Sequence, residues 1–206
     1  MSAFQTALCL LAATSLADAP PEGFRALFNE RDLSGWHGEN PHPLLPPTVE
    51  KKTAELARQR ADFPRHWSVK EGELVNSGKG PYATTDEVFG DFELRLEYKT
   101  IATPECGICL RGTPQIQIYD KDQRLDPKHP SRNLAGLKVW TDFPTLRPPG
   151  EWNSLRVVQQ GDLTTVWLNG DRVFDKAKQR WPAKGPIMLT TQGGEIRWRN
   201  LFVKPL

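Results

Sequence analysis

Asp91–Lys99 reads DFELRLEYK. Phe92, Leu94, Leu96 and Tyr98 alternate with Glu93, Arg95, Glu97 and Lys99, a period of two that puts the apolar side chains on one face of a strand. Such a strand belongs to a sheet with one dry face and one wet face. Downstream, GICLRG (107–112), PQIQIYD (114–120) and GLKVWTDF (136–143) predict further strands. WNSLRVVQQ (152–160), DLTTVWLNG (162–170) and DRVFD (171–175) predict a meander that turns at Gly161–Asp162 and at Asn169–Gly170–Asp171. Asn-Gly is the strongest short-range hairpin signal, because both residues tolerate positive φ. GPIMLTTQG (185–193) and EIRWRNLFVKPL (195–206) close the chain. Upstream, HWSVKEGELV (66–75) reads as a hairpin, FRALF as an edge strand, and GKGPYATT (78–85) as a glycine-rich loop entering a strand.

The pattern totals roughly eleven to thirteen strands, with no alternating βα rhythm and no fixed repeat. It predicts an all-β fold, closed as a sandwich or a barrel. The exception is TVEKKTAELARQRADF (48–63), whose apolar positions Val49, Ala54, Leu56, Ala57, Ala61 and Phe63 have helical spacing. PHPLLPP (41–47) bars a continuous element before it, and Pro64 is expected to stop it. This 41–66 excursion is open to two readings, a lid or rim, or plain decoration.

The 206 residues are 38% hydrophobic and 25% charged, a globular composition. The net charge of +2, with no basic run, points away from nucleic acid. Residues 4–17, FQTALCLLAATSLA, are apolar, uncharged and too short for a stable membrane span. They predict a signal peptide over 1–19, ending near SLA or ADA, and hence a periplasmic or secreted domain over 23–206. The lack of Lys or Arg before them leaves a buried N-terminal helix as the other reading. On a strand Cys106 and Cys109 point to opposite faces, so they are expected to be packing thiols rather than a disulfide.

Four segments carry a family resemblance: LFNERDLSGW (27–36); DFELRLEYK with GICLRG and QIQIYD; PPGEWNSLRVVQQGDLTTVWLNGDRV (148–173); and GPIMLTTQGGEIRWRNLFVKPL (185–206). In this order and spacing the chain resembles the 3-keto-disaccharide hydrolase (DUF1080) domain family from about Gly23 to Leu206. The resemblance implies a concanavalin A-like lectin/glucanase fold, an all-β sandwich (jelly roll) of two antiparallel sheets. It also implies a saccharide ligand, and cleavage of glycosides whose glucose unit carries a 3-keto group. The family's Glu-x-Gln-x-x-Asp stretch matches Gln115–Asp120, keeping Gln117 and Asp120 but placing Gln115 at the carboxylate position. Cys106-Gly107 stands where Ser-Gly is usual, Arg111 is kept, a tyrosine is missing near Gly136–Val139, and Gln192 replaces a histidine.

The candidate catalytic residues are therefore Asp120, Arg111 and Gln117. The candidate substrate-binding residues are Gln115, Trp36, Tyr119, Lys138, Trp140 and Gln192. Gln115 and Gln117 share a strand face, where amides can meet sugar hydroxyls and an arginine adds a fixed fork of donors. Asp120 is a general acid or base, or a turn cap. Ordinary glycoside hydrolysis needs two carboxyl groups, and Glu105, Asp142 and Glu195 are the unranked second choices. A 3-keto sugar offers elimination instead, with Asp120 or His129 as base and Arg111, Lys138 or a metal on the enolate. Trp36 is open to two roles, core cover or sugar stacking. Trp152, Trp167 and Trp198 are expected in the core. His37 and His42 flank Glu39 in a loop without a metal-ligand signature. No ligand motif indicates a divalent metal, and the sequence specifies no cofactor. The partner is expected to be a small saccharide, and no oligomeric state follows. Two functions stay open: a hydrolase or elimination-type lyase acting on 3-keto-glycosides, and a non-catalytic carbohydrate-binding domain. A structural or adhesion domain is the third.

Overall fold

A computed structural model of the chain describes residues 18–40, 48–101, 105–112, 115–118, 136–139, 145–178, 180 and 182–206. In chain order these form β1 (Arg25–Ala26), β2 (Trp36–Glu39), α1 (Val49–His66), β3 (Trp67–Lys70), β4 (Glu73–Asn76), β5 (Tyr82–Phe89), β6 (Phe92–Thr100) and β7 (Glu105–Cys109). There follow β8 (Gln115–Ile118), β9 (Gly136–Val139), β10 (Asn153–Gln160), β11 (Leu163–Leu168), β12 (Asp171–Lys178), β13 (Gly185–Gln192) and β14 (Ile196–Pro205). The fourteen strands slightly exceed the number expected from pattern alone.

The larger sheet runs β12-β11-β10-β6-β14-β4-β3, with β1 added on β14, and the smaller runs β2-β5-β13-β7-β8-β9. This is the two-sheet sandwich expected. The strand that opened the sequence reading, β6, sits mid-sheet between β10 and β14. The smaller sheet corrects one expectation, since β8 and β9 pair in parallel. Parallel neighbours cannot be joined by a tight hairpin and need a long crossover, which the chain between Ile118 and Gly136 is long enough to supply.

Alternation fills the space between the sheets. Phe92, Leu94, Leu96, Tyr98, Leu155, Val157, Val166, Leu168 and Trp198 come from the larger sheet, and Ala83, Cys106, Ile108, Ile116, Ile118, Ile187 and Leu189 from the smaller. Burying one large apolar side chain contributes about 1.5–3 kcal/mol, so a one-residue slip that turned such a row outward would be strongly disfavoured. Glu71–Gly72 and Asn169–Gly170 both have positive φ at the two central hairpin positions, as the turn residues predicted.

Trp36 is corrected from a sugar-stacking candidate to a core residue. It is 5% exposed, belongs to the same core cluster as Ala83, and donates its indole N–H to Leu27 O at 3.0 Å. Trp198 is in the core as expected, whereas Trp152 and Trp167 are not. They lie on the outer face of the larger sheet beneath cations, Arg199 and Lys99 over Trp152 at 4.1 and 4.5 Å and Arg156 over Trp167 at 4.1 Å. Strand pairing brings Arg156 opposite Trp167, and an indole face attracts a guanidinium as well as it packs a core.

Helix α1 begins at the Thr48 cap and continues through Pro64 to His66, two residues beyond the expected stop. Pro64 falls in the last turn, where only one hydrogen bond is lost, and the Trp67 N–H still closes onto Phe63 O. The helix packs against β2 and β3, the edge strands of the two sheets, and so covers an open flank of the sandwich. Phe63 carries that contact, buried beside Trp67 with ring centroids 6.0 Å apart. Gly38 permits it, since a Cβ there would stand 2.5 Å from Gln59 O and 2.9 Å from Phe63 Cβ. The described part of the excursion is therefore a structural wall. Among the described residues, no helix is long and apolar enough to cross a membrane.

Candidate functional site on the smaller sheet

Strand register fixes which predicted positions of the smaller sheet lie side by side. Gln117 pairs with Gly107 and Lys138, and Gly107 pairs with Thr190. One row over, Gln115 pairs with Cys109, Cys109 with Met188, Met188 with Thr84, and Thr84 with His37. Gln192 pairs with Glu105 at the end of β13. The backbone thus brings Gln115, Gln117 and Lys138 to neighbouring positions of β8 and β9, with Gln192 two strands from β8 on β13 of the same sheet. Asp120, Tyr119, Trp140 and His129 lie outside the described residues.

The two amides on β8 are committed to the protein itself. Gln115 Nε2 donates to Gln117 Oε1, Gln117 Nε2 donates to Cys106 O at 3.1 Å, and Gln117 is only 7% exposed. Cys109 Sγ reaches Gln115 Oε1 at 3.7 Å, and burial pushes its thiol up to about 12. Cys106 and Cys109 are both buried and are not joined by a disulfide, as their opposite facing requires.

Arg111 is 3% exposed and is not part of this amide pair. Its Nε donates to Gly90 O at 2.7 Å, Nη1 to Gly161 O and Pro182 O at 3.1 Å each, and Nη2 to Asp91 Oδ1 at 2.5 Å. Asp91 Oδ1 also accepts the Gly161 N–H at 2.9 Å. The guanidinium therefore ties together the β5–β6 turn, the β10–β11 turn and the segment before β13. This corrects the expectation that Arg111 offers its donor fork to a ligand, because four donor contacts are made within the protein.

The open ionisable chemistry of this sheet lies at its other edge, where the sequence reading saw only a loop. His37 Nδ1 is 2.5 Å from Asp86 Oδ1, and His37 Nε2 is 3.2 Å from Glu39 Oε2. The side chains of His37 and Glu39 are 17% and 30% exposed. WHGE is a strand whose alternate residues, Trp36 and Gly38, face inward, which sends His37 and Glu39 outward. That alternation was the available signal. The partner Asp86 lies 49 residues away and enters only through β2–β5 pairing. A second histidine, His66, sits between Asp62 Oδ2 at 3.2 Å and Ser77 Oγ at 3.4 Å. Among the described residues, no group of three or more His, Cys, Asp or Glu is arranged to hold a metal ion. Each His37 nitrogen is turned to its own carboxylate rather than to a common point.

A groove of about 560 Å³ lies on the other sheet, lined in part by Asp18, Arg95, Glu97, Arg156, Trp167 and Asn200. None of the described residues predicted for the site lines it, and its charges are largely paired, Arg156 with Glu93 and Arg199 with Glu97. We place the candidate site on the smaller sheet, where register gathers the predicted positions.

The family described as the 3-keto-alpha-glucoside-1,2-lyase-like domain matches residues 23–204. Among curated proteins none matches the chain. Crystal structures of candidate glycosyl hydrolases from Parabacteroides distasonis share the fold. One has a TM-score of 0.61 at 18% identity, covering 90% of this chain and 94% of that one. A second has 0.58 at 20% identity, covering 90% and 85%. A third has 0.53 at 22% identity, covering 70% and 92%.

Proposed function

Since the chain belongs to the 3-keto-alpha-glucoside-1,2-lyase-like domain family, we propose that it cleaves glycosides whose sugar carries a ketone at C3. The observation that carries this reading is the match over residues 23–204, nearly the whole chain. Its chemistry needs no pair of carboxyl groups across the glycosidic bond. A C3 ketone acidifies the hydrogen on C2, so one positioned base can start elimination of the C1 substituent, and water addition then completes net hydrolysis. The apolar 4–17 segment supports export of the domain, which would give it extracellular or periplasmic saccharides as substrates.

A non-catalytic saccharide binder is the second reading. Arg111 and Gln117 spend their hydrogen bonds internally, and Gln115 and Gln192 stand where ionisable groups are usual in the family. One experiment separates the readings. Purified protein is incubated with a 3-keto-glucoside, with divalent metal and with EDTA, while calorimetry follows binding. Release of the aglycone supports the enzyme. Saturable binding without release supports the binder, and neither signal removes both.

A further inference from the structure

We propose that His37 is the proton-transferring catalytic residue of this domain, positioned by Asp86, with Glu39 at its reactive nitrogen. The inference rests on the glycoside-cleaving reading above. It starts from an imidazole with a carboxylate oxygen at each nitrogen, 2.5 Å at Nδ1 and 3.2 Å at Nε2. A carboxylate accepts and cannot donate, so each ring nitrogen directs an N–H at its carboxylate: Asp86 keeps the proton on Nδ1, and Nε2 becomes the proton-exchanging nitrogen once it has passed its own proton to Glu39. At 2.5 Å the Asp86 contact is the shorter of the two, and β2–β5 pairing places both residues on rigid backbone. Glu39 is more loosely held at 3.2 Å and partly exposed, so it can turn aside as a substrate approaches Nε2.

Three further observations favour this site over the other titratable groups of the sheet. The Cys109 thiol is held neutral by burial, its pKa raised to about 12. Gln115 and Gln117 cannot take a proton at neutral pH and bond to each other. Thr84, the β5 partner of His37, is buried and directs its hydroxyl at Glu39 O, which fixes the backbone that carries His37 and Glu39.

The step balances without oxidant or reductant. Nε2 takes the proton from C2, and its electron pair passes into the enolate of the C3 ketone. As the ketone re-forms, a C1–C2 double bond forms and the C1–O bond breaks. The proton on Nε2 goes to the departing alkoxide, leaving an unsaturated keto sugar, a free alcohol and His37 as it began.

The test uses the full chain, a 3-keto-glucoside with a chromogenic aglycone, and the variants His37→Gln, Asp86→Asn and Glu39→Gln. His37→Gln is expected to lower kcat/KM by about 10²–10⁴-fold, with an unchanged circular dichroism spectrum, and added imidazole is expected to restore part of the rate. Asp86→Asn is expected to move the pH–rate profile and lower kcat more than it raises KM, which a purely structural role would not do. Glu39→Gln tests folding tolerance at the same edge and is expected to retain more activity than His37→Gln. Wild-type cleavage with a His37→Gln rate within threefold of it overturns this assignment and leaves the proposed function standing. A loss in His37→Gln that imidazole does not rescue, in a folded protein, also overturns it. Binding without wild-type cleavage overturns the proposed function itself, and His37 falls with it.

Discussion

Arg111 Nη2 and Asp91 Oδ1 meet at 2.5 Å, and the same carboxylate oxygen accepts the Gly161 N–H, so one ion pair holds the β5–β6 connection between the sheets and the β10–β11 turn against the end of β7. Arg111 adds the carbonyls of Gly90, Gly161 and Pro182. Removing the guanidinium takes the side-chain donors from Gly90 O and Pro182 O and leaves Asp91 with only the Gly161 N–H. Arg111→Ala should lower stability by about 3 kcal/mol, within the range for breaking a buried polar network. Urea denaturation would show it, and an Arg111→Ala protein as stable as wild type would argue that the clamp is ornamental.

Gly38 decides whether α1 can lie against the flank. A Cβ at this position meets the backbone oxygen of Gln59 at 2.5 Å and Pro81 Cγ at 2.8 Å. Gly38→Ala should cost about 1–3 kcal/mol through overpacking. Limited proteolysis should then cut within 49–66 faster than in wild type. Equal cleavage rates would mean that the helix accommodates the methyl group.

The thiols should be silent. Both cysteines are buried, and burial pushes Cys109 up to about 12, so little thiolate exists at pH 8. Mass spectrometry after treatment with iodoacetamide should find Cys106 and Cys109 unmodified in native protein and modified in denaturant. Rapid native labelling would contradict this packing.

Acid should weaken the fold in a defined window. Hydrogen bonds from Ser34 and Asn29 lower Asp32 from its ordinary 3.8 to about 2, and those from Arg58 and Gln59 lower Glu55 from 4.5 to about 2. Partial burial alone would raise Glu93, but Arg156 and Arg95 hold it below its ordinary value. A carboxyl whose folded pKa lies below its unfolded one contributes stability above the unfolded value and loses it as pH falls through the folded one. The urea midpoint should therefore hold steady above about pH 5 and decline from about 4.5 towards 2. Asp32→Asn and Glu55→Gln should each flatten that decline, which a pH series of denaturation curves would reveal.

Much of the scaffold could be read directly. The alternation in DFELRLEYK became the centre of the larger sheet, and Glu71–Gly72 and Asn169–Gly170 became hairpin turns. The misreadings share a cause. Pro64 was weighed as an isolated breaker, although the last turn of a helix has few bonds left to lose. The strand pattern around Trp167 predicts a core position, but its cross-strand neighbour Arg156 gives it a partner outside the core. His37 was assigned to a loop because four residues are too few for a periodic signal.

What the sequence determined by itself is the class of fold, the positions of its strands and the family, since alternation, turn residues and motif order are local properties of the chain. The tertiary structure decided which polar groups are free to act. Hydrogen bonds are satisfied by whatever the fold brings near. The partners of Arg111 lie 20, 21, 50 and 71 residues away, and that of His37 lies 49 away. No periodicity encodes such separations. Sheet pairing therefore turned the expected ligand-binding arginine into a clamp and brought a loop histidine between two carboxylates.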